Sequence, residues 1–94
     1  ENIARDNGIK TGFGHGFLIL GNGYTVISNM ASGNQGNGFI IDSDTSAYNK
    51  KLFTFYGNTS IGNTGQGVFK FAGANLKSLK NNIFGNLDRE NIFK

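Results

Sequence analysis

Asn58-Thr-Ser-Ile-Gly-Asn63-Thr-Gly-Gln-Gly67-Val-Phe69 repeats, with substitutions, as Asn29-Met-Ala-Ser-Gly-Asn34-Gln-Gly-Asn-Gly38-Phe-Ile40. Five positions match at one constant offset: Asn29 and Asn58, Gly33 and Gly62, Asn34 and Asn63, Gly36 and Gly65, Gly38 and Gly67. A looser copy opens at Asn7 and continues through Gly12, Gly14 and Gly16-Phe17. A truncated copy reads Asn82-Ile-Phe-Gly-Asn86. The leading asparagines fall at 7, 29, 58 and 82, in steps of 22, 29 and 24. A period in the low twenties with one long step marks a repeat architecture in which one unit carries an extra loop.

The residues that fill the period choose the architecture. A leucine-rich repeat needs a dense Leu-x-x-Leu-x-Leu frame. Here the apolar residues are mainly Phe, Ile and Val in short runs. Gly16-Phe-Leu-Ile-Leu20, Gly38-Phe-Ile-Ile41 and Gly67-Val-Phe-Lys-Phe71 form one set. Tyr24-Thr-Val-Ile-Ser28, Leu52-Phe-Thr-Phe-Tyr56 and Leu76-Lys-Ser-Leu79 form another. Runs of β-branched and aromatic residues bounded by Gly and Asn read as strands, and none is long enough for a capped helix. Two or three strands per period predict an all-β chain coiled as a right-handed parallel β-helix of about four open-ended coils. Gly, 15 of 94 residues, and Asn suit its corners, where positive φ is needed. No capping helix is visible at either terminus. The expectation is a single segment, residues 1–94, of a longer β-helix, its open ends covered by further coils or another chain. The long step places an insertion loop at residues 42–51.

Stacked coils bring equivalent side chains above one another, so the recurring asparagines predict ladders of amide hydrogen bonds. One column is expected to hold Asn7, Asn29, Asn58 and Asn82, and a second Asn34, Asn63 and Asn86. The register of the last coil is open by one residue. Asn58 maps to Asn82 in 24 residues, but Asn63 maps to Asn86 in 23.

The stretch from Gly16 to Phe39, with Leu52 to Asn63 and Leu79 to Asn86, resembles the distal coils of family-nine polysaccharide lyases. The resemblance implies a secreted right-handed β-helix enzyme that cleaves pectate by β-elimination, with calcium and a lysine base. It covers nearly the whole chain, but epimerases, adhesins and phage spikes share the same Asn-Gly pattern. The catalytic residues do not carry over. In Asn37-Gly-Phe-Ile-Ile-Asp42, Asn37 stands where an acid is expected, and no lysine follows at the matching place. The segment is therefore expected to support a pectate lyase-like helix without a complete active site of its own. Calcium would belong to the whole enzyme. The alternatives are a non-catalytic glycan-binding, adhesin or phage-spike module, and a purely structural solenoid.

Other chemistry is sparse. His15 is the only histidine, and Cys is absent. Gly12-Phe-Gly-His-Gly16 lacks a following helix and reads as a repeat corner rather than a phosphate loop. Asp42 and Asp44 open like a calcium loop. Ala47 and Phe53 stand where an EF-hand needs Gly and Glu, so only a looser metal site at Asp42 and Asp44 is expected. Nine basic residues against six acidic give a net charge of +3. That suits an acidic polysaccharide such as pectate. No dense Lys/Arg run or reader motif points to nucleic acid. No apolar run is long enough to span a membrane as a helix. Within the insertion, Tyr48, Lys50 and Lys51 are the candidate contacts to an acidic glycan: Tyr48 by stacking on a sugar face, the lysines by charge.

Overall fold

The computed structural model describes residues 2–43, 51–71 and 74–86. These contain ten strands and no helix. They are β1 (Ile3–Arg5), β2 (Phe17–Gly21), β3 (Thr25–Ile27), β4 (Met30–Ser32), β5 (Phe39–Ser43), β6 (Leu52–Tyr56), β7 (Thr59–Ile61), β8 (Val68–Lys70), β9 (Asn75–Leu79) and β10 (Asn82–Phe84). Every pairing is parallel. The sheets are β1-β4-β7-β10, β2-β5-β8 and β3-β6-β9. The chain therefore visits the three sheets in a fixed cyclic order and pairs each strand with the one three elements earlier.

The two strand sets legible in the sequence correspond to the second and third sheets. The first sheet lies inside the Asn-x-x-x-x-Asn phrase, whose middle residues form the three-residue strands β4 and β7. These are poor in large apolar residues, so hydrophobic alternation gives them little signal.

The register corrects the spacing. Asn2 stacks on Asn29 and Asn7 on Asn34, both 27 residues apart. The next step is 29 residues and the last is 23. His15 and Asn37 stack only 22 apart. Comparing 27 with 22 places five extra residues in the first circuit, between Gly8 and Gly14. The Gly12 N–H donates to the Gly8 carbonyl, closing this excursion at 2.6 Å. Asn22 and Lys51 meet 29 apart. Comparing 29 with 22 places seven extra residues after Ser43, which still pairs with Gly21. Asp42 and Ser43 are thus strand residues, and Lys51 stands at the foot of β6.

Inward positions on the sheets stack into columns that form the core. Phe17, Phe39 and Val68 share one register position, and Ile19, Ile41 and Lys70 another. The Phe17 and Phe39 rings are stacked at 5.0 Å, and Phe39 meets Phe55 edge to face at 5.0 Å. Phe39, Phe53 and Phe55 are fully buried. Each burial is worth about 1.5–3 kcal/mol. Lys70 breaks the apolar column, and its ammonium turns to the Ala74 carbonyl at 3.1 Å.

The inward column of the first sheet is small in the middle circuits: Ala31 and Ser60. The Gly-x-Gly phrase packs against it. A Cβ on Gly38 would overlap Ser60 Oγ and come within 2.6 Å of the Gly67 carbonyl. Ser60 Oγ donates to that carbonyl at 2.8 Å and accepts from Asn63 Nδ2 at 3.1 Å. Glycine at this position follows from close backbone approach.

Candidate functional site

Two corners of each circuit are built alike: a residue with positive φ, then an asparagine. At one corner these are Ser28-Asn29, Gly57-Asn58 and Lys80-Asn81; at the other, Asp6-Asn7, Gly33-Asn34, Gly62-Asn63 and Gly85-Asn86. The left-handed residue reverses the chain, and the asparagine that follows turns its amide into the stack. The first ladder therefore runs Asn2, Asn29, Asn58, Asn81. Asn58 Oδ1 accepts the Asn29 N–H at 2.9 Å. Asn58 Nδ2 donates to the Val26 carbonyl at 2.8 Å and to Asn81 Oδ1 at 3.2 Å. The second ladder runs Asn7, Asn34, Asn63, Asn86, with N–H to Oδ1 distances of 3.1, 3.0 and 2.9 Å.

Two placements differ from the sequence reading. Asn7 belongs to the second ladder, because the excursion after Gly8 obscured its partner. Asn82 lies in β10, exposed and paired with Thr59, while Asn81 occupies the ladder. The physical reason is the positive φ of Lys80, which sets the corner one residue earlier.

A third ladder joins residues of unlike type. His15 Nδ1 accepts the Asn37 N–H at 2.9 Å, and Asn37 Oδ1 accepts the Gln66 N–H at 2.7 Å. His15 takes in the first circuit the place of Asn37 in the second and Gln66 in the third. Its Nδ1 is an acceptor, so in this arrangement any ring proton sits on Nε2. The Phe13 ring meets it edge-on at 4.6 Å.

The outer surface of the β3-β6-β9 sheet carries the exposed polar chemistry. Phe53 and Phe55 point inward, so Leu52, Thr54 and Tyr56 point outward. Thr25, Thr54 and Lys77 lie in register across the three strands. Tyr56 is one outward position beyond Thr54 and 39% exposed. Lys51, Lys77 and Lys80 are exposed at the entry, middle and exit of this sheet, and its three strands contain no Asp or Glu. Lys51 is anchored through its backbone N–H to Asn22 Oδ1 at 2.7 Å. Tyr48, Lys50 and Asp44 lie outside the described residues. Asp42 pairs with Leu20 on another sheet, β2-β5-β8.

Among the described residues no group of three or more His, Cys, Asp or Glu is placed to hold a metal ion. Their only acids are Asp6, at the corner after β1, and Asp42, on β5. Asn37, at the position matched to a lyase acid, already accepts the Gln66 N–H. Asp42 lies on β5, and Asp44, its expected partner in a looser metal site, lies outside the described residues. No helix among the described residues is long and apolar enough to cross a membrane. Comparison with protein-family models, curated proteins and solved structures finds no match to this chain.

Proposed function

We propose that this chain is a segment of a secreted, pectate lyase-like right-handed parallel β-helix that engages an acidic polysaccharide. The cyclic visit to three parallel sheets supports the solenoid. The strong preference for right-handed crossovers between parallel strands supports the hand. The observation that carries the ligand class is the sequence between β5 and β6 together with the sheet that follows it. There Tyr48, Lys50 and Lys51 fall close together in sequence, just before a sheet whose strands carry Lys77 as their one charged residue. Loops projecting from a rigid repeat scaffold are common carriers of binding function.

The segment serves as scaffold and ligand contact, and any elimination chemistry belongs to other coils. The non-catalytic reading, a glycan-binding module of adhesin or phage-spike type, is supported by the use of Asn37 as a ladder acceptor. At the β2 and β3 end, a cavity of about 270 Å³ is lined by Phe17, Ile19, Tyr24 and Val26, a surface suited to further coils or another chain.

Binding to polygalacturonate at low and high salt tests the reading. The chain should bind, the Lys50→Ala/Lys51→Ala variant should bind more weakly, and salt should weaken both. Binding that ignores both salt and the double change removes the charged-loop reading. With calcium added, no unsaturated product should accumulate; turnover would place an active site within these residues.

A further inference from the structure

Resting on that reading, we propose that the outer face of the β3-β6-β9 sheet is a track for the acidic polysaccharide, with Lys77 and Tyr56 as its contacts beyond the loop. Three observations converge. Lys77 and Thr54 are direct cross-strand partners, and Tyr56 is the next outward residue on the strand of Thr54. Lys77 and Tyr56 are therefore diagonal neighbours on one face, a separation of about 7–8 Å at the backbone that long side chains cover. Lys51 immediately precedes β6, and Lys80 follows β9 at a corner, so exposed cations stand at both ends of this sheet. No carboxylate on the three strands opposes them. Thr25 and Thr54 continue the Lys77 row with hydroxyl groups able to donate to or accept from sugar oxygens.

The ligand that fits is a chain with repeated carboxylates and apolar ring faces, lying across the strands. Successive strands are about 4.8 Å apart, so three strands span about two sugar units. Lys77 takes a carboxylate, and the Tyr56 ring takes an adjacent sugar face. Lys70 is excluded because its ammonium is held by the Ala74 carbonyl.

The test is the affinity of the full chain for polygalacturonate, measured calorimetrically at low salt. Lys77→Ala should weaken binding about two- to fivefold, as for a single exposed charge contact. Tyr56→Ala should weaken it about two- to tenfold through the lost ring contact. Lys10→Ala removes the same charge from the five-residue excursion near Gly8 and should change affinity far less. Circular dichroism of each variant should match the parent. Lys77→Ala and Tyr56→Ala binding like Lys10→Ala, while the Lys50/Lys51 double change still weakens binding, would overturn the track and leave the loop reading standing. No binding by the parent chain would overturn both. Tighter binding of a thymidine oligonucleotide of equal charge would also overturn the track, since a carboxylated sugar would then not be the favoured ligand.

Discussion

Each ladder asparagine combines a corner with two neighbouring circuits. Asn58 is 1% exposed, and its amide serves Asn29, Val26 and Asn81. Asn58→Ala leaves the Asn29 N–H without its partner and removes the amide bonds to Val26 and Asn81, a loss of about 1–3 kcal/mol. Asn81→Ala should also destabilise, because Asn81 Oδ1 accepts the Asn58 N–H at 2.8 Å. Asn82→Ala, on the exposed face of β10, should stay within about 0.5 kcal/mol of the parent. Urea titration of the three variants checks this ordering, and a larger loss at Asn82 than at Asn81 would reverse the register. The preceding residue carries its own strain. Ser28 has φ of 56°, where the equivalent corner in the next circuit has Gly57. The left-handed conformation costs a side-chain-bearing residue about 1–2 kcal/mol. Glycine's greater freedom in the unfolded chain offsets part of that. Ser28→Gly should therefore stabilise by up to about 1 kcal/mol, visible as a raised urea midpoint with unchanged slope.

At the scale of elements, the Gly-x-Gly phrase is the approach between one corner and the start of a strand. Gly38 precedes β5 and faces Ser60 Oγ and the Gly67 carbonyl. Gly38→Ala must displace backbone as well as a side chain, so a loss at the upper end of about 1–3 kcal/mol is expected. The short strand β7 is held through Ser60, which bridges Asn63 and Gly67, so hydrogen exchange in β7 should accelerate in the same variant. The ladder before β2, β5 and β8 follows different chemistry. His15 and Asn37 both present an acceptor to a backbone N–H of the next circuit. His15→Asn should retain most of the stability, whereas His15→Leu leaves the Asn37 N–H unpaired at about 1–3 kcal/mol. Equal unfolding midpoints for these two variants would exclude the ladder role of His15.

Across the whole molecule, stability is set by position in the stack. Strands β4, β5, β6 and β7 have a described partner on both sides, whereas β1, β2 and β3 have one on a single side. Phe39, Phe53 and Phe55 lie in the middle circuits and are fully buried, while Phe17 in the first circuit is partly exposed. Protection from hydrogen exchange should therefore be greatest in β5 and β6 and fall toward β1 to β3, since local opening follows pairing and burial. Phe39→Ala should cost about 3–5 kcal/mol, more than Phe17→Ala, because its cavity is closed on both sides. Uniform protection from β1 to β6 would show that the first circuit is covered in solution.

The parallel strand sets and two lines of asparagines were legible in the sequence because their signals are local: alternating Phe, Ile and Val bounded by Gly, and Asn recurring with Gly. The 29-residue relation between Asn29 and Asn58 was also legible, since both copies of the phrase are undivided. Tertiary structure decided what depends on neighbours in other circuits. It placed Asn7 beside Asn34 across a five-residue excursion, and Asn81 rather than Asn82 in the ladder through the left-handed Lys80. It put His15 in a ladder with Asn37, although the two share no residue type. It turned Lys70 inward and left Lys77 outward, a difference that follows from sheet register and that charge counting does not contain.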